Sequence, residues 1–334
     1  MADTRNVTLV LGGGNALGAY HLGACRRLLQ EGVEPDRIIG ASIGAVNGAI
    51  LIGNPPEQRL ARLDEFWSRA ATPLSQIPGD WPGVRERRTQ WSGLRALLSG
   101  RPGLFHGALS RLPTLALSGR TSLADHRPLA GTLERLIDFQ RVNGSDVDLH
   151  VVTLDIETGE EVWFGNRTTG IAPEHLLAAT AFPLLYPPIE IEGRLLCDAG
   201  LANNLPVDRA FALEQRRELL CLAVDLFSLS HCRPRSLDGT LARAQDIAFA
   251  SQSRRAIEAI ARERARAQSP EDAAPPAVLA YLAYRAPAHQ RGLKSLDYSR
   301  ASIRDRADQG SSDMAAMLHR VALARWDEPL LVLQ

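Results

Sequence analysis

Residues 38–49 read IIGASIGAVNGA, and they follow LVLGGGNALGAYHLGA at 9–24. The apolar run ends in Gly40-Ala41-Ser42-Ile43-Gly44, and a small-residue helical pattern, IGAVNGAILIG, comes next. A strand that turns sharply into a helix, with a serine at the turn, is what a nucleophile elbow requires. Strand and helix backbones crowd together there, so the flanking positions must be small. Here they are Gly40 and Gly44, with Ala41 and Ala45 beside them. The turn would lift the Ser42 hydroxyl clear of the backbone and set it over a helix N-terminus. Oriented N–H groups and the positive end of the dipole favour developing negative charge at that place.

Upstream, VTLVL (7–11) is a short apolar run ending in glycine, as a buried parallel strand would be, and a helical pattern runs from Ala16 to about Gln30. RIIGA (37–41) is the second strand. A strand–helix–strand–helix opening favours a parallel sheet with helices on both faces. The first glycine cluster raises a nucleotide alternative. A Walker loop needs Gly-Lys-Ser/Thr, and the only lysine in the chain is Lys294. A dinucleotide fingerprint needs an acid at the end of the second strand, where Ala41-Ser42 stands instead. In a parallel sheet both loops end on one edge, so the backbone N–H groups around Gly13, Gly14 and Asn15 are candidates for holding the oxyanion formed when Ser42 attacks a carbonyl. Glycines permit close approach, and asparagine tolerates the left-handed region better than most residues. The plainer alternative is a tight turn without a chemical role.

Residues 64–130 differ from the rest. Prolines and glycines interrupt any long period, and Trp67, Trp81, Trp91 and Phe105 concentrate there. The segment reads as an insertion of short helices and loops, either packed by its aromatics or serving as an apolar cap that meets acyl chains or a membrane surface. DLHVVTLDIETGEEVWF (148–164) reads as a hairpin, EHLLAATAFP (174–183) as a helix stopped by Pro183, and RLLCDAG (194–200) and ELLCLAVDLF (218–227) as strands. A long helix, a strand (VLAYLAYRA) and a final helix follow. This divides the chain into a catalytic region over 1–232 and a C-terminal extension over 233–334 that packs on it.

The formal net charge is zero, so no global field draws the chain to nucleic acid. Cys25, Cys197, Cys221 and Cys232 form no paired-cysteine motif, and no metal or cofactor is called for. With no secretory h-region and no long apolar span, a cytoplasmic location is expected, with peripheral contact at a membrane or lipid surface left open.

Serine needs a base. None of the eight histidines sits in a recognisable catalytic context, and His21, inside the first helix, reads as a packed residue. Asp155, Asp198 and Asp225 all end strands. Asp198 stands apart: it precedes Ala199-Gly200, and Asn203, Asn204 and Pro206 build a rigid turn after it. A carboxylate in reach of Ser42 Oγ takes its proton directly if desolvation raises its pKa. Asp155 and Asp225 read as structural.

Together, GGGNALGAYHLG, GASIG and DAG resemble the patatin-like phospholipase family, with AATAFPLLYPPI and GLANNLPVDRA as supporting stretches and a tail similar to a bacterial subgroup's C-terminal extension. The resemblance implies a three-layer α/β/α fold with a mainly parallel central sheet. It implies a Ser42–Asp198 dyad without histidine, an oxyanion hole from Gly13, Gly14 and Asn15 with the Ile43 N–H, no cofactor, and hydrolysis of acyl esters such as phospholipids. Three departures from the family pattern stand out: Asn15 for a glycine, Leu17 for a basic residue, and Ala199 for a glycine after the aspartate. Ala199 threatens activity most, because a β-carbon there is strained if φ is positive. Two alternatives stay open: a weakened member that only binds lipid or granule surfaces, and an acyltransferase to an acceptor other than water.

Overall fold

The computed structural model describes residues 5–72, 84–110, 121–213, 216–266, 274–290 and 292–334. In chain order the elements are β1 (Asn6–Leu11), α1 (Ala19–Gln30), β2 (Arg37–Ala41), α2 (Ile43–Ile52), α3 (Arg59–Ala70), α4 (Val84–Ser99), β3 (Gly100–Arg101), β4 (Phe105–His106), α5 (Pro128–Leu136), α6 (Phe139–Asn143), β5 (Asp148–Asp155), β6 (Glu161–Gly165), α7 (Pro173–Thr180), β7 (Ile189–Ile191), β8 (Arg194–Asp198), α8 (Val207–Ala212), β9 (Leu219–Asp225), α9 (Leu237–Arg266), β10 (Ala277–Ala283), α10 (Arg300–Ala322) and β11 (Leu330–Leu333).

One sheet of nine strands organises them, in the order β11-β10-β9-β1-β2-β5-β8-β7, with β6 also paired to β5. The run from β11 to β5 is parallel, whereas β6 and β8 lie antiparallel to β5, and β7 antiparallel to β8. Side chains alternate across the sheet. Leu9, Leu11 and Ile38 join one apolar cluster with residues of α1, α2 and α10, while Val10 and Ile39 join another with Val207, Ala210 and Ile257 of α8 and α9. Helices therefore cover both faces, and the fold is a three-layer α/β/α sandwich. Helix α2 is buried along its whole length, as an all-round apolar, small-residue helix must be.

The β5–β6 hairpin lies where the alternating pattern puts it. Helix α7 stops at Thr180, three residues before the expected Pro183. The 233–334 region is woven into the sheet: β10 pairs with β9, and β11 with β10, which covers an edge that β9 would otherwise leave open. Helix α10 crosses α1 at backbone contact. A β-carbon on Gly23 would fall 1.7 Å from the Ala307 carbonyl oxygen, and one on Gly310 would fall 2.1 Å from that of Tyr20.

The aromatics of 64–130 do not act as one set. Trp67 is buried on α3, where its indole N–H donates to Asn47 Oδ1 at 3.2 Å. Phe105 is buried beside Tyr186. Trp91 on α4 is 65% exposed, and Trp81 lies outside the described residues.

Candidate active site

The register of three strands puts Ser42 and Asp198 together. Strand β2 runs parallel to β5 and ends with Ala41 opposite Val152. Strand β8 runs antiparallel to β5 and ends with Asp198 opposite Thr153, the next residue along. Strand β6 occupies the opposite edge of β5 over 150–154. So β2 and β8 share one edge of β5 and meet with their C-terminal tips facing. The carboxylate arrives on an antiparallel strand that fills the space beyond the end of β2.

Ser42 sits at φ 52°, ψ −126°, a backbone conformation that L-residues avoid. It is the N-cap of α2, yet its hydroxyl makes no capping bond, where a serine at an N-cap ordinarily bonds a first-turn amide. Close approach demands both elbow glycines: a β-carbon on Gly40 would lie 2.5 Å from Ala45 Cα, and one on Gly44 would lie 2.1 Å from the Leu11 carbonyl oxygen. The Asp198 carboxyl is 2% exposed and accepts the Gly200 N–H at 2.8 Å. Burial raises its pKa to about 6, against hydrogen bonds from Ser42 and the Gly200 amide that draw it down. Ala199 is absent from the positive-φ residues, so its β-carbon carries none of the anticipated strain.

The glycine loop corrects one expectation. Gly13 was expected to supply an oxyanion N–H, but that N–H donates to the Asn204 carbonyl at 2.9 Å, and Asn204 Nδ2 donates back to the Gly13 carbonyl at 3.2 Å. Gly13 instead provides clearance, since a β-carbon there would meet Asn204 Oδ1 at 2.5 Å and Ser42 Cβ at 3.1 Å. The N–H groups of Gly14, Asn15 and Ile43 donate to no protein acceptor among the described residues. Asn15 takes the left-handed conformation, at φ 56°. Asn204 was legible only as a turn residue. Its grip on Gly13 spans 191 positions and has no local signature.

The other titratable groups sort away from Ser42. His21 Nε2 donates to the Val224 carbonyl at 3.3 Å, and Asn47 Nδ2 lies 3.2 Å from Nδ1. Burial lowers His21 to about 3, so it stays neutral. His126 lines the cavity but spends Nε2 on the Leu177 carbonyl, 2.9 Å away. Asp155 accepts from the amides of Glu157 and Thr158 and from Arg194. Asp225 accepts from Ser253, Tyr281 and the Phe227 amide. Cys25, Cys197 and Cys221 are buried free thiols, and Cys232 is exposed.

Ser42 and Asp198 open into a cavity of about 280 Å³, lined mainly by apolar side chains. Phe66, Trp67, Leu104, Phe105 and Leu296 line it, together with Phe182 and the stacked rings of Phe249 and Phe227. Leu123 and Leu184 also line it while remaining 40% and 70% exposed, and Leu184 is held at φ 71°.

A strained serine at a strand–helix turn, over an apolar cavity in an α/β sheet, is the arrangement of a nucleophile elbow. The sequence matches the family described as patatin-like phospholipase over residues 9–211, and the chain belongs to that family. Lysophospholipase NTE1 of Mycosarcoma maydis is 25% identical over 238 residues, which is 71% of this chain and 10% of that protein. An uncharacterized NTE family protein of Mycobacterium tuberculosis is 28% identical over 208 residues, 62% of this chain and 46% of its own. The chain thus spans less than half the length of either relative. Among solved structures, human GIVD cytosolic phospholipase A2 aligns with 96% of this chain and 59% of its own, with TM-score 0.45 and 16% identity. VipD from Legionella pneumophila aligns with 96% and 67%, with TM-score 0.44 and 14% identity. No helix among the described residues is long and apolar enough to cross a membrane.

Proposed function

We propose that the chain is a serine acyl hydrolase acting on lipid esters through a Ser42–Asp198 dyad. Asp198 takes the Ser42 proton as Oγ attacks the ester carbonyl carbon. The N–H groups of Gly14, Asn15 and Ile43 stabilise the tetrahedral oxyanion. Asp198 then returns the proton to the leaving alcohol, and an acyl–serine ester remains. Water, deprotonated by the same carboxylate, attacks that ester; the acid leaves and Ser42 Oγ recovers its proton. The observation that carries this reading is the meeting of β2 and β8 on one edge of β5, with a buried carboxylate of pKa about 6 beside an uncapped serine. A carboxylate at its ordinary value of about 3.8 is a weak base, and burial makes this one stronger.

The apolar cavity wall takes the acyl chain. Leu123 and Leu184, exposed at its rim, meet the lipid surface that presents the ester, so the protein works in peripheral contact with lipid. The binding-only alternative rests on Asn15 and Ala199; Ala199 is free of positive-φ strain, and Asn15 takes a left-handed conformation that asparagine tolerates better than most residues. Acyl transfer to an added alcohol uses the same acyl–serine ester, and product analysis with alcohols present separates it from hydrolysis.

The test is reaction with a fluorophosphonate probe and mass mapping of the modified peptide, paired with p-nitrophenol release from a medium-chain ester. The expected result is a single adduct on Ser42 and loss of turnover in Ser42→Ala. An adduct elsewhere, or equal rates for the two proteins, ends the reading.

A further inference from the structure

The Asn15 side chain is held by two phenols. Tyr298 O–H donates to Asn15 Oδ1, and the Tyr186 phenol is hydrogen-bonded to the same side chain. Burial pushes both tyrosines upward, so both stay neutral. Tyr186 belongs to the family-matched region; Tyr298 lies far outside it, in the segment between β10 and α10. That segment is itself well fastened. The Tyr298 carbonyl accepts the Thr72 N–H at 2.7 Å, and its ring lies against Phe105 and under the Arg101 guanidinium. Its hydroxyl is therefore spent on Asn15 alone among the contacts of this residue. One position further on, the Ala16 carbonyl accepts Arg306 Nη1 at 3.0 Å. Arg306 is fully buried, and its guanidinium also donates to the carbonyls of Asp297 and Lys294 and to Gln290. Lys294 is anchored in turn to Asp246 of α9.

We propose that Tyr298 is a positioning residue for acyl transfer: by fixing the Asn15 side chain it holds the left-handed backbone that carries the unpartnered Gly14 and Asn15 N–H groups. A residue at φ 56° occupies a shallow, sparsely populated well, and a side chain tied at its far end cannot leave that well. Donors that are fixed before the oxyanion forms stabilise it without reorganisation, so the contact acts on the transition state rather than on substrate binding. The C-terminal region is on this account a working part of the site. The inference rests on the serine hydrolase reading.

The test is Tyr298→Phe, which keeps the ring and the backbone anchors and removes only the hydroxyl, assayed on a short p-nitrophenyl ester. The expected result is a fall in kcat of about 10- to 100-fold with KM within about twofold. A trifluoromethyl ketone, which forms a tetrahedral adduct on serine, loses affinity by the same factor, while an unreactive ether analogue of the substrate keeps its affinity. Asn15→Gly, which retains the backbone freedom but has nothing to tie, lowers kcat similarly, and adding Tyr298→Phe to it lowers the rate less than about twofold further. Wild-type kcat in Tyr298→Phe, a loss carried by KM, or full additivity in the double variant overturns the assignment. Ser42→Ala separates the two layers. If that variant is inactive while Tyr298→Phe is unimpaired, only the positioning role falls; if it hydrolyses normally, the hydrolase reading falls first.

Discussion

The elbow region and the C-terminal region contribute to one cavity in opposite ways. Residues 38–52 carry strain: a serine at positive φ whose hydroxyl caps nothing, and an elbow whose glycines tolerate no added carbon. Asp198, which meets it across β5, is a buried carboxylate held far above its ordinary range. Residues 292–310 are instead tightly partnered, with Arg306 bonded to four acceptors and Gly310 set against the α1 backbone. A site that keeps a reactive group strained needs rigid neighbours to hold it, and much of that rigidity here lies more than 240 positions away in sequence.

The difference is open to attack from both sides, and Asp198→Asn has the largest expected effect. It removes the proposed base, so kcat is expected to fall by roughly 10³-fold or more. It also removes a buried charge. With a folded pKa of about 6 against 3.8 in the free side chain, Asp198 contributes stability below pH 3.8 and loses it as pH rises through 6. Above pH 7 the ionised carboxylate thus costs on the order of 2–3 kcal/mol, which the variant regains. Urea unfolding at pH 8 and pH 4 reads this: the variant is expected to be the more stable at pH 8, with the advantage shrinking toward zero at pH 4. A destabilised Asp198→Asn at pH 8 would mean that the site stores no strain at this position.

Gly310→Ala is the converse experiment in the C-terminal region. A methyl group there must displace the Tyr20 carbonyl, so about 3 kcal/mol of stability is lost, seen as a lower urea midpoint at constant m-value. Activity per folded molecule drops less than stability does, because the α1–α10 crossing does not touch the substrate. An unchanged midpoint would show that the two helices slide freely, and the rigidity argument would fail.

The pH profile gives a gentler test. If Asp198 is the base, it must be ionised to accept the Ser42 proton, so kcat/KM is expected to be flat above about pH 7 and to fall tenfold per unit well below 6. In Asp198→Asn the residual rate loses that limb. An inflection that persists in the variant would assign it to another group.

The same contrast explains what was legible in the sequence. The elbow was, because backbone crowding admits only glycine or alanine at fixed offsets from the serine, and a local demand leaves a local pattern. Asp198 was too, through the small residues and tight turn that follow it. The sense of β8 was not: a five-residue apolar run reads alike in parallel and antiparallel strands, and only its pairing with β5 decides. Gly13 was misassigned because a loop's glycines look equivalent until one N–H is seen to be taken by Asn204. Tyr298 and Arg306 lie in the tail that resembles a bacterial subgroup's extension, but neither shows its role locally, since each acts through a long-range polar contact that any tyrosine or arginine is able to make.

The smallest effect comes from two tryptophans that the sequence could not tell apart. Trp67 closes the cavity wall and donates to Asn47, which also bonds the Gly18 carbonyl and His21. Trp67→Phe leaves Asn47 Oδ1 without a donor in a buried place, and about 1–3 kcal/mol should be lost. Trp91 is 65% exposed on α4, and Trp91→Ala is expected to change stability by less than about 0.5 kcal/mol and leave turnover of a soluble short-chain ester unaltered. If Trp91→Ala nevertheless reduces turnover on vesicles while sparing the soluble ester, α4 joins Leu123 and Leu184 in the surface proposed to meet lipid. If both substrates are unaffected, α4 takes no part in the proposed lipid contact.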